Sequence, residues 1–208
     1  MVDLPGISDA DEPDDEPRSS VNVKKVAIVC GALAGVALLG SAVVYGPTVW
    51  RVTQQSDTKV STPTQIGSYT LFSTDEAAQA SEYVRDAIVT EVSLDDSLGA
   101  IYREPNGSEA RTVILVAGTG RIWKPERSLD GAFKAVAGAD TAIRGVHDVD
   151  AGDLGGVARC GEIDDKDGVI AVCGWADNGS LGVVVLPGSK TADAEKALST
   201  IRPAVEKR

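Results

Sequence analysis

The stretch ARCGEIDDKDGVIAVCGWAD, residues 158 to 177, decides how this chain is read. It sets Cys160 and Cys173 on two apolar arms around the acidic turn Asp164-Asp165-Lys166-Asp167-Gly168. Two hairpin registers are open to it. In one, paired residue numbers sum to 333, so that Cys160 faces Cys173 and Asp165 faces Gly168. In the other, Asp167-Gly168 forms the turn, and Cys160 faces Trp175 while Cys173 faces Glu162. A disulfide needs β-carbons about 4 Å apart. Directly opposed residues of an antiparallel pair come within about 5 Å, and diagonal neighbours lie farther apart. The first register is therefore expected, with a loop around Lys166 and a Cys160–Cys173 bridge.

Other chemistry for the cysteines fits less well. Zinc usually takes four ligands, and beyond these two cysteines this part of the chain offers only His147. Dithiol redox sites typically separate their cysteines by two residues, and here twelve intervene. Such a pair bonds outside the cytoplasm and stays reduced within it. No metal and no cofactor are expected.

Outward from the hairpin, strands and helices follow from periodicity. Strands are expected at SYTLF, LGAIYRE, RTVILVAG, IRGVHDV, GGVARCGEI, VIAVCGWAD and LGVVVLP, with Pro105-Asn106-Gly107 as a turn. A first helix starts at a capping box with Ser73 as the cap and Glu76 three residues on, and carries Ala80, Tyr83, Val84, Ala87 and Ile88 on one face. A second has Pro125 in its first turn, Leu129, Ala132, Phe133 and Val136 on one face, and Gly138 as its stop. A third begins near Thr191, buries Ala194, Ala197, Leu198, Ile201 and Val205, and should end or kink at Pro203. The element order β-α-β-β-α-β in the first half is ferredoxin-like. The second half reads as an antiparallel meander covered by the last helix. The expected fold class is α+β: a single transmembrane helix followed by a two-layer α/β sandwich.

The membrane expectation comes from VAIVCGALAGVALLGSAVVYG, residues 26 to 46, which holds no charged residue. As a helix it is about 30 Å long, the thickness of the hydrocarbon core. Lys24 and Lys25 precede it, Tyr45 and Trp50 fall near its far end, and Gly46-Pro47 stops it. Lys/Arg bias places the N-terminus inside the cell membrane and the rest of the chain outside. Gly31 and Gly35 match a small-residue packing motif and suggest a homodimer through the span. The expected organisation is a disordered acidic cytoplasmic tail at 1–23, a transmembrane helix at 24–47, a polar linker at 48–65 and an extracytoplasmic domain at 66–208.

Formal net charge is −11, with seven acids and one base in residues 1–20. The overall acidic balance, with no long run of Lys and Arg, argues against nucleic acid as a partner, because replacing phosphate counterions needs many such residues. Three motifs invite chemistry and fall short. VAGTGR places Gly118 and Gly120 after a strand, but position 123 is Trp where a dinucleotide loop needs glycine. DDKDG lacks the ligand at position 1 and the acid at position 12 of a calcium loop. In GVHDVDAGDLGG, His147 with Asp148 or Asp150 has the types of a base and its orienter, yet adjacent strand residues point to opposite faces and no glycine-flanked nucleophile follows. Trp123, Trp175 and Asp177 remain as a candidate interaction surface: Trp175 and Asp177 follow the staple, and a rigid hairpin either presents them to a partner or buries the ring, while core packing is the alternative for both tryptophans.

The blocks GDLGGVARCGE (152–162), IAVCGWADNGSLGVVVLP (170–187) and IRPAVE (201–206) resemble actinobacterial single-pass membrane proteins whose outer domain carries RCG and CGWAD motifs. The resemblance implies an extracytoplasmic location and a disulfide, and no particular reaction. The expected function is a membrane-anchored interaction or sensing domain without catalysis, engaging an unknown protein partner. The alternatives are an accessory subunit of an envelope complex and, behind it, an envelope hydrolase using His147.

Overall fold

A computed structural model describes residues 49–55, 57–105, 111–139, 141–166 and 168–208. After a helical stretch at 49–54, the elements run β1 (Lys59–Val60), β2 (Gln65–Ile66), β3 (Tyr69–Leu71), α1 (Asp75–Glu91), β4 (Asp96–Glu104), β5 (Arg111–Thr119), α2 (Pro125–Ala137), β6 (Arg144–Asp148), β7 (Val157–Asp165), β8 (Gly168–Ala176), β9 (Ser180–Pro187), α3 (Thr191–Val205) and β10 (Glu206–Lys207). One eight-stranded sheet has the order β2-β3-β4-β5-β9-β8-β7-β6. Each neighbouring pair in it is antiparallel. β1 and β10 pair separately.

Successive strand residues point to opposite faces, and the central strands are apolar on both. Ala171, Cys173, Trp175, Val184 and Leu186 join one cluster, with Ala194, Ala197, Leu198, Ile201 and Val205 of α3. Val172, Ala176, Leu181, Val183 and Val185 join the other, with Ile88 of α1 and Leu129, Ala132 and Phe133 of α2. The sheet is thus covered by α3 on one face and by α1 and α2 on the other.

This corrects the expected fold class. The domain has three layers, α/β/α. A sheet with one solvated face would tolerate polar residues at every second position, and β8 and β9 offer only Ser180, which is buried. The first half is not ferredoxin-like either. β3 and β4 are antiparallel neighbours despite the helix between them, and β6 lies at the far edge, beyond β9, β8 and β7. Strands apolar on both faces take the interior of the sheet, and β6, exposed at all five residues, takes the edge. Among the described residues no helix is long and apolar enough to cross a membrane. The expected span at 24–47, with Gly31 and Gly35, and the acidic tail at 1–23 lie outside the described residues.

The polar segment at 48–65 is not a free linker where it is described. Val52 is buried, the Gln55 side chain accepts the Asn178 N–H at 2.8 Å, and the Pro63 carbonyl accepts the Tyr102 hydroxyl at 2.9 Å. β1 pairs with β10 as Lys59↔Lys207 and Val60↔Glu206. Hydrogen bonds rather than an apolar stripe hold this segment, so periodicity does not reveal it. The cap of α1 is Thr74, which accepts the Ala77 N–H at 3.2 Å, in place of Ser73. Its inward face is Ala77, Ser81 and Ile88, and Tyr83 points into solvent. α3 continues through Pro203 to Val205. Its first turn is capped from β7: Glu162 accepts the Thr191 hydroxyl at 2.5 Å and the Thr191 N–H at 3.3 Å. The same bonds, the hydroxyl first, hold the Glu162 carboxyl below its usual range.

The β7–β8 register pairs Cys160 with Cys173 and Asp165 with Gly168, and the two cysteines are bonded. Their Cα atoms are 4.1 Å apart, nearest the close spacing of a non-hydrogen-bonded pair. Both sulfurs lie beneath α3 with no exposed surface. One glycine of the core is dictated by its neighbour. Gly182 lies opposite Trp175, and a β-carbon there would come within 2.1 Å of the indole ring.

Removing the bridge by Cys160→Ala with Cys173→Ala should lower stability by about 3 kcal/mol in the chain-entropy picture of a loop this size. Urea unfolding of oxidised wild type and double variant measures it.

Candidate functional site

Among the described residues, the largest concentration of buried charge sits where α3, the β8–β9 turn and the C-terminal residues meet. Asp177, Arg202 and Glu206 are at most 3 % exposed. The Asp177 position follows from its turn. One carboxylate oxygen accepts the N–H groups of Gly179 at 2.7 Å and Ser180 at 2.8 Å, closing β8 onto β9. The other accepts Arg202 Nη2 at 2.8 Å and Arg208 Nη2 at 2.6 Å. Trp175 Nε1 donates to Ser180 Oγ at 3.2 Å, and Ser180 Oγ donates on to Asp177 at 3.2 Å.

Arg202 uses its planar fork in three directions. Nε donates to Glu206 at 3.0 Å, one helical turn onward. Nη1 donates to two backbone carbonyls, Ala151 and Gly155, each at 2.8 Å. Its guanidinium also lies 5.7 Å from the centroid of the Trp175 ring. Two arginines and two carboxylates make the cluster neutral, as buried charge requires. Burial, then the neighbouring Asp177 charge, push the Glu206 carboxyl up, and Arg202 opposes them.

The two carbonyls belong to the loop at 149–156, which joins β6 to β7. Gly152, Gly155 and Gly156 there have φ of 68°, 64° and 85°, a region that favours glycine. At Gly156 a β-carbon would also meet the Ala176 carbonyl at 2.4 Å. Two clefts border the loop. One of about 250 Å³ lies against α3, with Ala158, Leu198 and Pro203 as apolar walls, Arg202 in its lining, and Asp150 and Asp153 at the loop. The other, of about 550 Å³, is lined by Arg51, Gln55, Trp123, Glu126 and Asn178. Leu154 borders both.

The residues singled out from the sequence scatter across this picture. Trp175 and Asp177 are interior and present no surface, which corrects their assignment to an exposed patch. The ring fills the core over Gly182, and the carboxylate is consumed by its turn and two arginines. Trp123 is 56 % exposed and lines the larger cleft. His147 lies on the edge strand with Nδ1 2.9 Å from the Gly145 carbonyl and Nε2 3.1 Å from Glu195. Asp148 instead receives Arg159. The hydrogen bond to Gly145 and then that to Glu195 hold the His147 imidazolium, raising its pKa above 6.5. Among the described residues no group of three or more His, Cys, Asp or Glu is placed to hold a metal. Arg202, Glu206, Arg208 and Leu154 were not read from the sequence. The signal for Arg202 was available, because a charge on the buried stripe Leu198, Ile201, Val205 of a helix needs a partner inside.

Compared with family models, curated proteins and solved structures, the chain matches none.

Arg202→Met should cost about 3–5 kcal/mol, since it strands a buried carboxylate. Adding Asp177→Asn should recover part of that loss, because Arg208 and Glu206 then form a neutral pair; urea unfolding of both variants reads the coupling. His147 should titrate by NMR above 6.5, and Glu195→Gln should lower the midpoint without restoring it fully. Because the folded pKa is the raised one, the link from β6 to α3 is fully present below the unfolded pKa and lost as pH rises through the folded value.

Proposed function

We propose that the domain is an extracytoplasmic interaction or sensing module, held at the cell membrane by the apolar run at 26–46 and working without catalysis. The bonded Cys160–Cys173 pair supports a location outside the cytoplasm, where such bonds persist. The likeness to single-pass proteins with RCG and CGWAD motifs agrees with that placement.

The observation that carries the reading is the way Arg202 braces the loop at 149–156 between its clefts. Residues that bind are commonly found on loops positioned by a rigid scaffold. Here the support is a buried charge cluster, and the loop's exposed groups are Asp150 and Asp153. The cleft against α3 has apolar walls and an acidic lip. It suits a short segment of a partner protein carrying an apolar side chain and a basic one. His147 does not favour the hydrolase alternative. Among the described residues its ring nitrogens meet the Gly145 carbonyl and Glu195, and no serine hydroxyl.

A photocrosslinker placed at Ser199, in the cleft lining, should capture a discrete partner in cells, while the same group at Tyr83 on exposed α1 should not. Asp150→Lys with Asp153→Lys should abolish that capture. Equal capture from both positions, or capture indifferent to the two aspartates, refutes the cleft as the site.

A further inference from the structure

The second cleft has a different character. Residues 49–208 carry seventeen Lys and Arg against twenty-four Asp and Glu. Against that background RIWKPER, residues 121–127, holds three bases and one acid. Ile122 is buried, and Arg121, Trp123 and Lys124 point outward. Trp123 shares its cleft with Arg51, and Trp50, the neighbour of Arg51, is 65 % exposed. Among the described residues none of Arg51, Arg121 and Lys124 forms an ion pair, whereas Arg111, Arg144, Arg159, Arg202 and Arg208 all do. Glu126 is the one carboxylate at the mouth of this cleft with an exposed position.

The position of this patch in the chain gives it a partner. The helical stretch at 49–54 is bound to the domain through Val52 and Gln55, and the apolar run ends at Gly46. In the sequence only residues 47 and 48 stand between the end of the run at Gly46 and the helical stretch at 49–54. Indole rings favour the headgroup level of a bilayer, and unpaired Lys and Arg are drawn to anionic lipid.

We infer that the exposed residues Trp50, Arg51, Arg121, Trp123 and Lys124, at and beside the larger cleft, rest on an anionic lipid surface. This inference rests on the membrane placement proposed above and adds a fixed orientation to it.

The test uses the full chain with Trp50→Phe, reconstituted into nanodiscs whose lipids are brominated on the acyl chains. Trp123 then reports contact, and the emission of Trp175, buried in the core, should stay unchanged as an internal measure of folding. In discs of anionic phosphatidylglycerol the Trp123 emission should be lost. In zwitterionic phosphatidylcholine it should persist, and Arg121→Glu with Lys124→Glu should restore it in the anionic discs. A chain that enters the discs but keeps its Trp123 emission in anionic lipid overturns the orientation alone, as does quenching indifferent to lipid charge. A chain that fails to enter the discs overturns the membrane placement and the orientation together.

Discussion

The domain depends on one charge placed where a charge is expensive. Arg202 sits on the buried stripe of α3, with Asp177 and Glu206 as its carboxylate partners. Burying an unpaired guanidinium there would cost several kcal/mol, a large share of the stability of a typical domain. The neighbouring elements are therefore constrained together. The β8–β9 turn must hold Asp177 inward, the helix must run through Pro203 to bring Glu206 alongside, and the chain must leave the helix so that Arg208 reaches the same carboxylate. The two hydrogens on Nη1 go to the loop at 149–156. An apolar residue at 202 would satisfy the stripe, but it would leave the Ala151 and Gly155 carbonyls without these donors. Lysine would keep the charge but lose the planar fork that serves four acceptors at once.

A second constraint is the sheet itself. β8 and β9 bury both faces, so helices are needed on each side, and the disulfide, the Trp175 ring and Gly182 all lie on the α3 side. The cysteine bridge and the charge cluster thus stand at the two flanks of one helix. The first ties β7 to β8 beneath it, and the second ties its last turns to the β8–β9 turn. Glu162 adds a third tie by capping its start.

What could be read from the residues was local. The Cys160–Cys173 register followed from the spacing of two residues around a turn, and each of the three long helices and seven main strands left a periodic trace. Strand order did not. Pairing across the sheet is set by which strands are apolar on both faces, and β-α-β-β-α-β order is compatible with more than one arrangement. The short strands β1, β2 and β10 escaped because two-residue pairings have no period. The packed segment at 51–65 escaped because its ties are polar. Trp175 and Asp177 were misplaced for a related reason: an aromatic beside a carboxylate after a hairpin arm reads as a surface, until a partner charge on a distant helix draws the carboxylate inward. That partner, Arg202, lies 25 residues away in sequence, and no local pattern connects the two.

Hydrogen exchange of the wild type beside Arg202→Lys addresses the brace directly. If the arginine fork is what holds the loop, amide exchange at 149–156 accelerates in the variant while β4 and β5 keep their protection. Unchanged exchange in the loop, or acceleration spread evenly through the domain, contradicts it.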